Sequence, residues 1–279
     1  MKNNHTIPLL EQELILAHIL QKSREYILTH PETPLNKAQK AKFKSFINRR
    51  KNHEPLAYIL GHKEFYGLDF KVDKNTLVPR PETELLVEGV IKLSPKNTNI
   101  IDVGTGSGNI IISIAHNIER IAHNKIKFFA IDISAKALSI AKYNARKNKV
   151  DKKIEFIKSD LLKNKKLLNK IKDENLIIIA NLPYLSEKIY EHTLPDVKNF
   201  EPKSALLSGA YGLDHYEKLL AQIEILKINC SMLHISCFLE ISPEQKIKIE
   251  KLARKYFSEC KINFIKDLSG RWRVAKLEL

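Results

Sequence analysis

The stretch Asn-Ile-Ile-Asp-Val-Gly-Thr-Gly-Ser-Gly, residues 99–108, decides the fold of this chain of 279 residues. Its first half has the pattern of a short buried strand, and its second half is a loop with glycines at alternate positions. Residues 110–118 follow with apolar side chains at helical spacing. Alternating glycines allow a tight turn and let a ligand approach main-chain N–H groups at the start of a helix. The stretch therefore predicts a strand, a ligand-binding loop and a helix of an α/β fold.

The glycine spacing and the acids that follow later strands narrow the class of ligand. A dinucleotide-binding loop of the type Gly-x-Gly-x-x-Gly would require glycine where this chain has Asn109. The next two predicted strands, residues 126–131 and 154–157, are followed by Asp132 and by Asp160. A carboxylate after the second strand of such a fold can accept both hydroxyls of a ribose. Asp160 is placed to accept from an adenine amino group.

A glycine loop with an acid in or after each of three strands fits S-adenosylmethionine, because its ammonium, ribose and adenine would each meet an acceptor. An unrelated nucleotide-binding α/β domain is the alternative that these residues leave open. The residues predicted to bind the methyl donor are Asp102, Gly104, Thr105, Gly106, Ser107, Gly108, Asp132, Asp160, Leu161 and Asn181.

A second motif follows the apolar run of residues 176–180, which predicts another buried strand. The run stops at Asn181-Leu182-Pro183-Tyr184, here called the acceptor corner. Carbonyl oxygens from the Asn181 side chain and the Leu182 main chain could hold both hydrogens of a planar NH₂ group, beside the Tyr184 ring. The corner favours alkylation of an amide or amino nitrogen, although Asn-x-Pro after a strand is also ordinary turn chemistry. We predict that Asn181, Leu182, Pro183 and Tyr184 form the catalytic and substrate-binding site.

Several other segments carry a resemblance to a known family. They are residues 55–61 (Pro-Leu-Ala-Tyr-Ile-Leu-Gly), 64–68 (Glu-Phe-Tyr-Gly-Leu), 78–88 (Val-Pro-Arg-Pro-Glu-Thr-Glu-Leu-Leu-Val-Glu), 102–108 and 201–206. Together with the acceptor corner, these segments resemble the release-factor glutamine N5-methyltransferases. The resemblance implies that S-adenosylmethionine is the cofactor and that the substrate is the glutamine of the Gly-Gly-Gln loop in peptide chain release factors.

One position departs from that family. The family corner usually reads Asn-Pro-Pro-Tyr, and Leu182 replaces the first proline. The carbonyl of residue 182 is kept, whereas the backbone loses stiffness. Asn-Leu-Pro-Tyr is also similar to the corner of ribosomal-RNA adenine dimethyltransferases, so an RNA or DNA adenine-N6 methyltransferase is one alternative. A non-catalytic S-adenosylmethionine-binding scaffold is another. The amino-terminal motifs look like those of the glutamine enzymes, and they favour a protein substrate.

The order of predicted elements gives the fold class. From residue 99 onward strands and helices alternate, which indicates a mostly parallel sheet. We predict an α/β fold with a Rossmann-like, seven-stranded S-adenosylmethionine-dependent methyltransferase domain over residues 85–279. Apolar spacing predicts helices over residues 9–28 and 37–51, within an amino-terminal helical domain of residues 1–58. The resemblance implies that this helical domain recognises the protein substrate.

A linker of residues 59–84 joins the two predicted domains. Residues 65–72 within it alternate between apolar and polar side chains as a β-hairpin does. The linker also contains Pro79, Arg80 and Glu82, which the resemblance implies to support the donor pocket or its lid.

The chain is strongly basic, with 47 Lys and Arg against 32 Asp and Glu and a formal net charge of +15. Such a charge is compatible with nucleic-acid binding. The basic residues are mostly scattered lysines, however, so the charge also follows from a compositional bias. We expect that nucleic acid is not required and that the partner is a release factor.

The cysteines and histidines indicate neither a disulfide scaffold nor a metal site. Cys230, Cys237 and Cys260 are an odd number and form no Cys-x-x-Cys pair, and Cys237 is predicted to pack in the core. His215 is expected on a helix surface. No apolar run approaches the roughly 18 residues that a membrane span needs, and charged residues interrupt the amino-terminal apolar segment. We expect a monomeric, cytoplasmic enzyme without a metal or a membrane partner.

Overall fold

The amino-terminal part of the chain is a small helical unit. The computed structural model describes residues 6–93, 96–118, 126–171, 174–229 and 234–279. Four helices come first: α1 Leu9–Leu20, α2 Arg24–Thr29, α3 Lys37–Lys51 and α4 Leu56–Leu60. Ile15 and Ile19 of α1 pack against Phe46 of α3 in a core of their own. Arg50 of α3 also forms an ion pair with Glu11 of α1 at 2.7 Å, so apolar packing and charge both join these helices.

One predicted helix is divided in two. Apolar spacing predicted a single helix over residues 9–28, but α1 ends and α2 begins within that range. Gln21 adopts a left-handed φ of 53°, which interrupts the helix. The Ser23 hydroxyl then accepts from the Tyr26 N–H and caps α2. Neither Gln21 nor Ser23 is a strong helix breaker, so the apolar spacing alone does not reveal the division.

A β-hairpin follows the helices, as predicted. Strand β1 His62–Phe65 pairs antiparallel with β2 Leu68–Lys71, so the first strand begins three residues before the predicted range of 65–72. Tyr66 and Gly67 form the turn with φ values of 51° and 71°, the left-handed geometry that two-residue hairpin turns require.

The rest of the chain forms a seven-stranded sheet. The remaining strands are β3 Thr98–Val103, β4 Lys127–Asp132, β5 Ile154–Lys158, β6 Asn175–Ala180, β7 Ile235–Glu240, β8 Lys261–Lys266 and β9 Trp272–Glu278. Their order across the sheet is β5-β4-β3-β6-β7-β9-β8. Strand β9 is antiparallel to both neighbours, and every other pair is parallel. The predicted mostly parallel seven-stranded sheet is confirmed, although no strand was predicted where the edge strand β8 lies.

Helices cover both faces of the sheet. The helices after the hairpin are α5 Glu84–Lys92, α6 Asn109–Ile118, α7 Ala135–Lys147, α8 Lys165–Ile171, α9 Glu187–Glu191, α10 Pro195–Phe200, α11 Asp214–Asn229 and α12 Lys246–Tyr256, with short 3-10 turns at Pro81–Thr83, Lys203–Ala205 and Pro243–Gln245. One apolar cluster joins the sheet to α8, α11 and α12, and a second joins it to α5, α6 and α7. Cover on both faces is what a parallel sheet requires.

The strand order fixes where a ligand can bind. The chain leaves β3 toward β4 and β5, and then returns to place β6 on the other side of β3. The crevice between the carboxyl ends of β3 and β6 is therefore the switch point at which open α/β sheets bind ligands.

Two further sequence predictions concern the core and the membrane. Cys237 and Cys260 are buried and unbridged, which confirms Cys237 as a core residue, and Cys230 lies outside the described residues. Within the described ranges, no helix combines the length and the apolar character that crossing a membrane demands.

Candidate active site

A cavity opens at the carboxyl ends of β3, β4, β5 and β6. Its wall contains most of the residues predicted to bind the donor, and three of the four residues of the acceptor corner. These predicted residues are Gly104, Thr105, Gly106, Ser107, Asp132, Asp160, Leu161, Asn181, Leu182 and Pro183. Residues 73–83, here called the cover segment, contribute residues 74–77, Pro79, Arg80 and Thr83 to the same wall. The two predicted motifs therefore meet in one cavity at the switch point.

The glycine loop, residues 104–108, has a backbone that side chains would disturb. Gly104, Gly106 and Gly108 have φ values of 75°, 56° and 81°, in the region that favours glycine. A Cβ atom on Gly108 would lie 2.7 Å from the Ile112 side chain. One on Gly106 would meet nothing closer than 3.9 Å. Gly108 is thus required for packing against α6, whereas Gly106 leaves open space at the cavity wall.

Two aspartate side chains brace this loop. Asp132 accepts from the N–H groups of Gly106 and Ser134, at 2.9 and 2.8 Å. Burial raises the pKa of Asp132, and these backbone hydrogen bonds oppose the rise. Asp102 is completely buried and accepts from the Thr105 hydroxyl at 2.6 Å. Burial raises the pKa of Asp102 to about 7, against the lowering effect of the Thr105 hydrogen bond. Asp132 therefore lies at the cavity wall, and Asp102 supports the loop from inside the fold.

The wall near the end of β5 is more open. The Asp160 carboxylate forms an ion pair with Lys163 at 2.8 Å. Leu161 has a φ of 51°, and its carbonyl accepts from the Ser159 hydroxyl at 2.6 Å. His215 lies at the start of α11 and is partly exposed, as expected of a residue on a helix surface, and it also lines the cavity. Burial is the main cause that lowers the pKa of His215.

The acceptor corner presents an oriented amide. The Asn181 side-chain NH₂ donates to the Thr83 hydroxyl oxygen at 3.2 Å. Because one end of a carboxamide only donates and the other only accepts, this contact directs Asn181 Oδ1 away from Thr83 as an acceptor. Asn181 lies in the cavity wall, so the corner has an acceptor oxygen beside the glycine loop.

A buried carboxyl group lies behind the corner. It belongs to Glu240, the last residue of β7, and its Oε1 accepts from the Tyr184 hydroxyl at 3.4 Å. Burial raises the pKa of Glu240 to about 7. Hydrogen bonds from the Thr83 and Tyr184 hydroxyls and the charge of Arg273 act to lower it, and the charge of Glu82 acts to raise it. Asn181 and Tyr184, two residues of the corner, are thus connected to one carboxyl group.

The far end of the corner is held by Gln245. Its Nε2 donates to the carbonyls of Tyr184 and Gly212, at 2.9 and 3.0 Å. Its Oε1 accepts from the Ser242 N–H at 3.1 Å, which fixes the orientation of this buried amide. The polypeptide after the corner is therefore fastened to two loops that are distant in sequence.

Ion pairs fasten the cover segment. Arg80 pairs with the buried Glu201, and Glu82 pairs with Arg273 at 3.6 Å. Arg273 in turn pairs with Asp267 at 2.8 Å. Arg80 and Glu82, which sequence reasoning could not assign to individual bonds, thus attach the cover segment to the loop before Lys203 and to the carboxyl-terminal strands.

Comparisons with known proteins agree with this geometry. Residues 2–61 match the PrmC N-terminal domain, and residues 94–254 match a methyltransferase domain. A release factor glutamine methyltransferase of Clostridium botulinum is 35% identical over 274 residues, with 96% of this chain and 90% of that protein covered. One of Koribacter versatilis is 38% identical over 218 residues, with coverages of 77% and 74%. The chain belongs to the release factor glutamine methyltransferase family. It is therefore an S-adenosylmethionine-dependent enzyme, which confirms the family and the cofactor that the sequence resemblance implied.

Solved structures of other methyltransferases share the fold of this family member. The hMettl16 catalytic domain in complex with MAT2A 3'UTR hairpin 6 superimposes with a TM-score of 0.56 at 16% identity, covering 88% of this chain and 93% of that chain. The delta-N METTL16 MTase domain gives a TM-score of 0.51 at 17% identity, with coverages of 85% and 97%. At such identities only the fold is shared, and it is the predicted Rossmann-like fold.

Three residues predicted for the site lie outside the cavity wall. Asp102 is buried behind the glycine loop, because its side chain is used to hold Thr105. Gly108 packs against α6. Tyr184 directs its hydroxyl toward Glu240. These residues support the residues at the wall, and a direct contact with a ligand would need a change in their position.

Sequence reasoning also missed residues that the site uses. Thr83 stands in the Pro-Arg-Pro-Glu-Thr-Glu stretch, which the resemblance marked without giving Thr83 a role. Glu240 is an acid at the carboxyl end of a strand, the same signal that marked Asp132, and applying that rule to β7 would have found it. Gln245 follows a Ser-Pro-Glu turn, and nothing in that local pattern signals contact with the corner.

The cavity fits S-adenosylmethionine. The glycine loop offers a close approach to main-chain N–H groups, and the Gly106 position leaves space for a ligand. Each oxygen of Asp132 has a second lone pair that can accept from a ribose hydroxyl. Leu182 and Pro183 give the wall an apolar part. As for metals, the residues that the structure describes contain no group of three or more His, Cys, Asp or Glu that could hold an ion.

Proposed function

We propose that this enzyme transfers a methyl group from S-adenosylmethionine to the side-chain amide nitrogen of the glutamine in the Gly-Gly-Gln loop of a peptide chain release factor. The observation that carries this proposal is the orientation of the Asn181 carboxamide. Its NH₂ group is used by Thr83, so its oxygen is available to a donor, such as an amide NH₂, in the cavity. The names of the bacterial relatives supply the class of substrate.

The donor side of the site is assigned to the glycine loop and to Asp132. The loop N–H groups and the Asp132 carboxylate hold the donor, and Asp160 and Leu161 border its adenine. S-adenosylmethionine supplies an electrophilic methyl group on a sulfonium. Asp132 has to brace Gly106 and accept from the ribose with the same carboxylate, so loop shape and donor binding are coupled through one side chain.

The acceptor side is assigned to the acceptor corner. An amide nitrogen is a poor nucleophile, because its lone pair is delocalised into the neighbouring carbonyl. Asn181 Oδ1 and the Leu182 carbonyl would accept its two hydrogens and turn its lone pair toward the donor's methyl group, whose bond to sulfur would break with the electron pair left on sulfur as a thioether. Pro183 in the wall excludes water from the pocket, and Tyr184 supports the corner from behind the wall. The nitrogen becomes acidic once it is alkylated, so its proton can leave without a strong base.

The remaining parts of the chain take supporting roles in this proposal. Residues 1–58 recognise the protein substrate, residues 59–84 connect them to the catalytic domain, and residues 85–279 carry the reaction. The enzyme acts as a monomer in the cytoplasm, where release factors work. Its positive charge steers it toward an acidic protein surface and does not require nucleic acid.

A panel of acceptors tests the proposal. The enzyme is incubated with labelled donor and one of four acceptors: a release factor, the same factor with the loop glutamine replaced by alanine, ribosomal RNA, or DNA. We expect label only in the unaltered release factor, and only weak, salt-sensitive binding of RNA. Methylation of RNA adenine at a comparable rate would replace the proposal with an adenine-N6 methyltransferase. Equal labelling of the alanine variant would place the methyl group elsewhere on the protein.

A further inference from the structure

Glu240 is a buried acid next to the corner that the proposed transfer step does not use. It is 2% exposed and stands at the carboxyl end of β7, adjacent to the strand that leads into Asn181. Its Oε2 is buried and has no hydrogen-bond partner among the side chains and backbone of the described ranges. A buried carboxyl group with an unsatisfied oxygen is costly to the fold, so its presence calls for a role.

The contacts of Glu240 lead directly to the residue that holds the substrate. Hydrogen bonding from the Thr83 hydroxyl is among the causes that lower the pKa of Glu240, which places this hydroxyl beside the carboxyl group, and the Thr83 oxygen accepts from the Asn181 NH₂ group at 3.2 Å. Thr83 is 1% exposed, so water does not compete for these bonds. A hydroxyl has one hydrogen to donate, and a carboxylate can only accept. When Glu240 is ionised, the Thr83 hydrogen therefore points to Glu240, and only the donating end of Asn181 can face Thr83.

We propose that Glu240 is a positioning residue for the methyl acceptor: through the Thr83 hydroxyl, it keeps the Asn181 carboxamide turned with its oxygen toward the substrate amide. This inference rests on the proposed function. It extends that function by giving Thr83 of the cavity wall and the buried Glu240 a part in orienting Asn181.

The charge state of Glu240 makes this arrangement dependent on pH. Burial raises the pKa of Glu240 to about 7. The charged and titratable groups that face it are Arg273 from β9, Glu82 from the cover segment, Tyr184 from the corner and Tyr216 from α11. Below that pKa, the protonated carboxyl group can donate to the Thr83 oxygen and free its hydrogen to face Asn181. The productive orientation is then no longer enforced, so the transfer rate rises as the pH passes upward through neutrality.

Single-turnover methylation of a release factor at saturating donor tests the proposal. A neutral amide accepts a weaker hydrogen bond than a carboxylate, so Glu240→Gln should lower the rate on the order of 10–100-fold, the usual cost of losing an outer contact that orients a ligand. The donor dissociation constant should stay within about twofold, and the rise of the rate near neutral pH should disappear. A full rate in folded Glu240→Gln, or an equal loss of donor affinity, would overturn the proposal.

Variants of Thr83 give a second test of the proposal, which holds even if the Glu240→Gln variant does not fold. Thr83→Val keeps the shape and removes the hydroxyl, so it should lower the rate as much as Glu240→Gln does. Thr83→Ser keeps the hydroxyl and should restore most of the rate. The double variant should lose no more than either single one, because both changes break one chain of contacts. Equal rates for Thr83→Val and Thr83→Ser would contradict the proposal.

Ser236→Ala is the matched control. Ser236 is also buried on β7, and its hydroxyl donates to Glu278 at 2.9 Å, without connection to Asn181. This variant should lose stability and keep the wild-type rate and its pH profile. A rate loss in Ser236→Ala as large as that in Glu240→Gln would mean that the Glu240→Gln loss comes from general damage to β7, which would contradict the proposal.

A spectroscopic readout separates this inference from the proposed function. The side-chain ¹⁵NH₂ signal of Asn181, assigned by its loss in Asn181→Ala, should shift with pH near neutrality in the wild type. It should not shift in Glu240→Gln. If the wild-type protein fails to methylate the release factor while this shift is present, the proposed function is wrong and the contacts from Glu240 through Thr83 to Asn181 are supported. A signal that does not respond to pH would refute these contacts.

Discussion

The glycine loop and the acceptor corner are two walls of one cavity, and they are held in place in different ways. The loop depends on its own backbone: three glycines with positive φ, and a carboxylate 26 residues away that accepts from Gly106. The corner depends on side chains from distant segments. Asn181 is held by Thr83, 98 residues away, and Tyr184 by Gln245, 61 residues away.

This difference teaches how the two substrates are handled. Donor binding needs a fixed backbone shape, which a short stretch of sequence can specify. Positioning an amide for attack needs a fixed side-chain direction, which only neighbours from other parts of the fold can supply. Substitutions in the glycine loop should therefore lower donor affinity, whereas substitutions in the acceptor corner should lower the rate of transfer.

The largest expected effect is at the acceptor corner. Asn181→Ala removes the oxygen proposed to accept from the substrate amide, so single turnover should fall on the order of 10²–10³-fold, as for a deleted preorganised contact to a reacting group. Donor affinity should hardly change. Asn181→Asp keeps an acceptor oxygen and should retain more activity than the alanine variant, and Leu182→Pro should be tolerated because the carbonyl remains. Near-normal turnover in folded Asn181→Ala would remove Asn181 from the transfer step.

The next effect concerns the carboxyl group buried behind the glycine loop. The pKa of Asp102 is raised to about 7, so the folded protein keeps a proton that the unfolded chain has lost. The free energy of unfolding contributed by this group therefore falls as the pH rises from about 4 to 7. Asp102→Asn cannot lose this proton, so relative to the wild type it should gain on the order of 2–4 kcal/mol across that window, since one pKa unit is about 1.4 kcal/mol.

Urea unfolding at several pH values measures this difference, with the exposed Asp151→Asn as the control for loss of one negative charge. Parallel curves for wild type and Asp102→Asn would show that Asp102 does not keep its proton in the fold.

A smaller effect is expected for the donor itself. Asp132→Ala removes the partner of the Gly106 N–H and the proposed partner of the ribose hydroxyls, so donor binding should weaken by roughly 1–3 kcal/mol. Asp132→Asn keeps one acceptor oxygen and should lose less. Calorimetric titration decides the matter. An unchanged dissociation constant in folded Asp132→Ala would exclude Asp132 from the donor site.

The smallest effect distinguishes two glycines of the loop. Alanine at either position is strained by the left-handed backbone, but at Gly108 the added Cβ atom would also lie 2.7 Å from the Ile112 side chain and 3.1 Å from Ala141. Gly108→Ala should therefore be less stable than Gly106→Ala by about 1 kcal/mol, from overpacking. Gly106→Ala should instead affect donor affinity, because its added methyl faces the cavity. Thermal unfolding of both variants with and without donor separates these outcomes, and equal stabilities would contradict the packing assigned to Gly108.

The glycine loop, the strands and the acids at their ends could be predicted from sequence because each depends on local pattern. Asp132 was found because it follows an apolar run directly. Thr83 and Gln245 were not found, because contacts across 98 and 61 residues of sequence leave no periodicity to detect. Glu240 was missed although it ends a strand as Asp132 does, because the rule was not applied to β7. The role given to Asp102 differed for a related reason: position at a strand end marks an acid, but only packing decides whether its side chain faces the cavity or the loop.

The separation of the two walls is tested most directly by combining Asp132→Ala with Asn181→Ala. Donor affinity and the single-turnover rate at saturating donor are measured for the double variant and both single variants. We predict that the double variant has the donor affinity of Asp132→Ala and the transfer rate of Asn181→Ala, with a coupling free energy below about 0.5 kcal/mol in each quantity. A coupling well above that value, or a rate loss at saturating donor in Asp132→Ala as large as that in Asn181→Ala, would contradict independent walls.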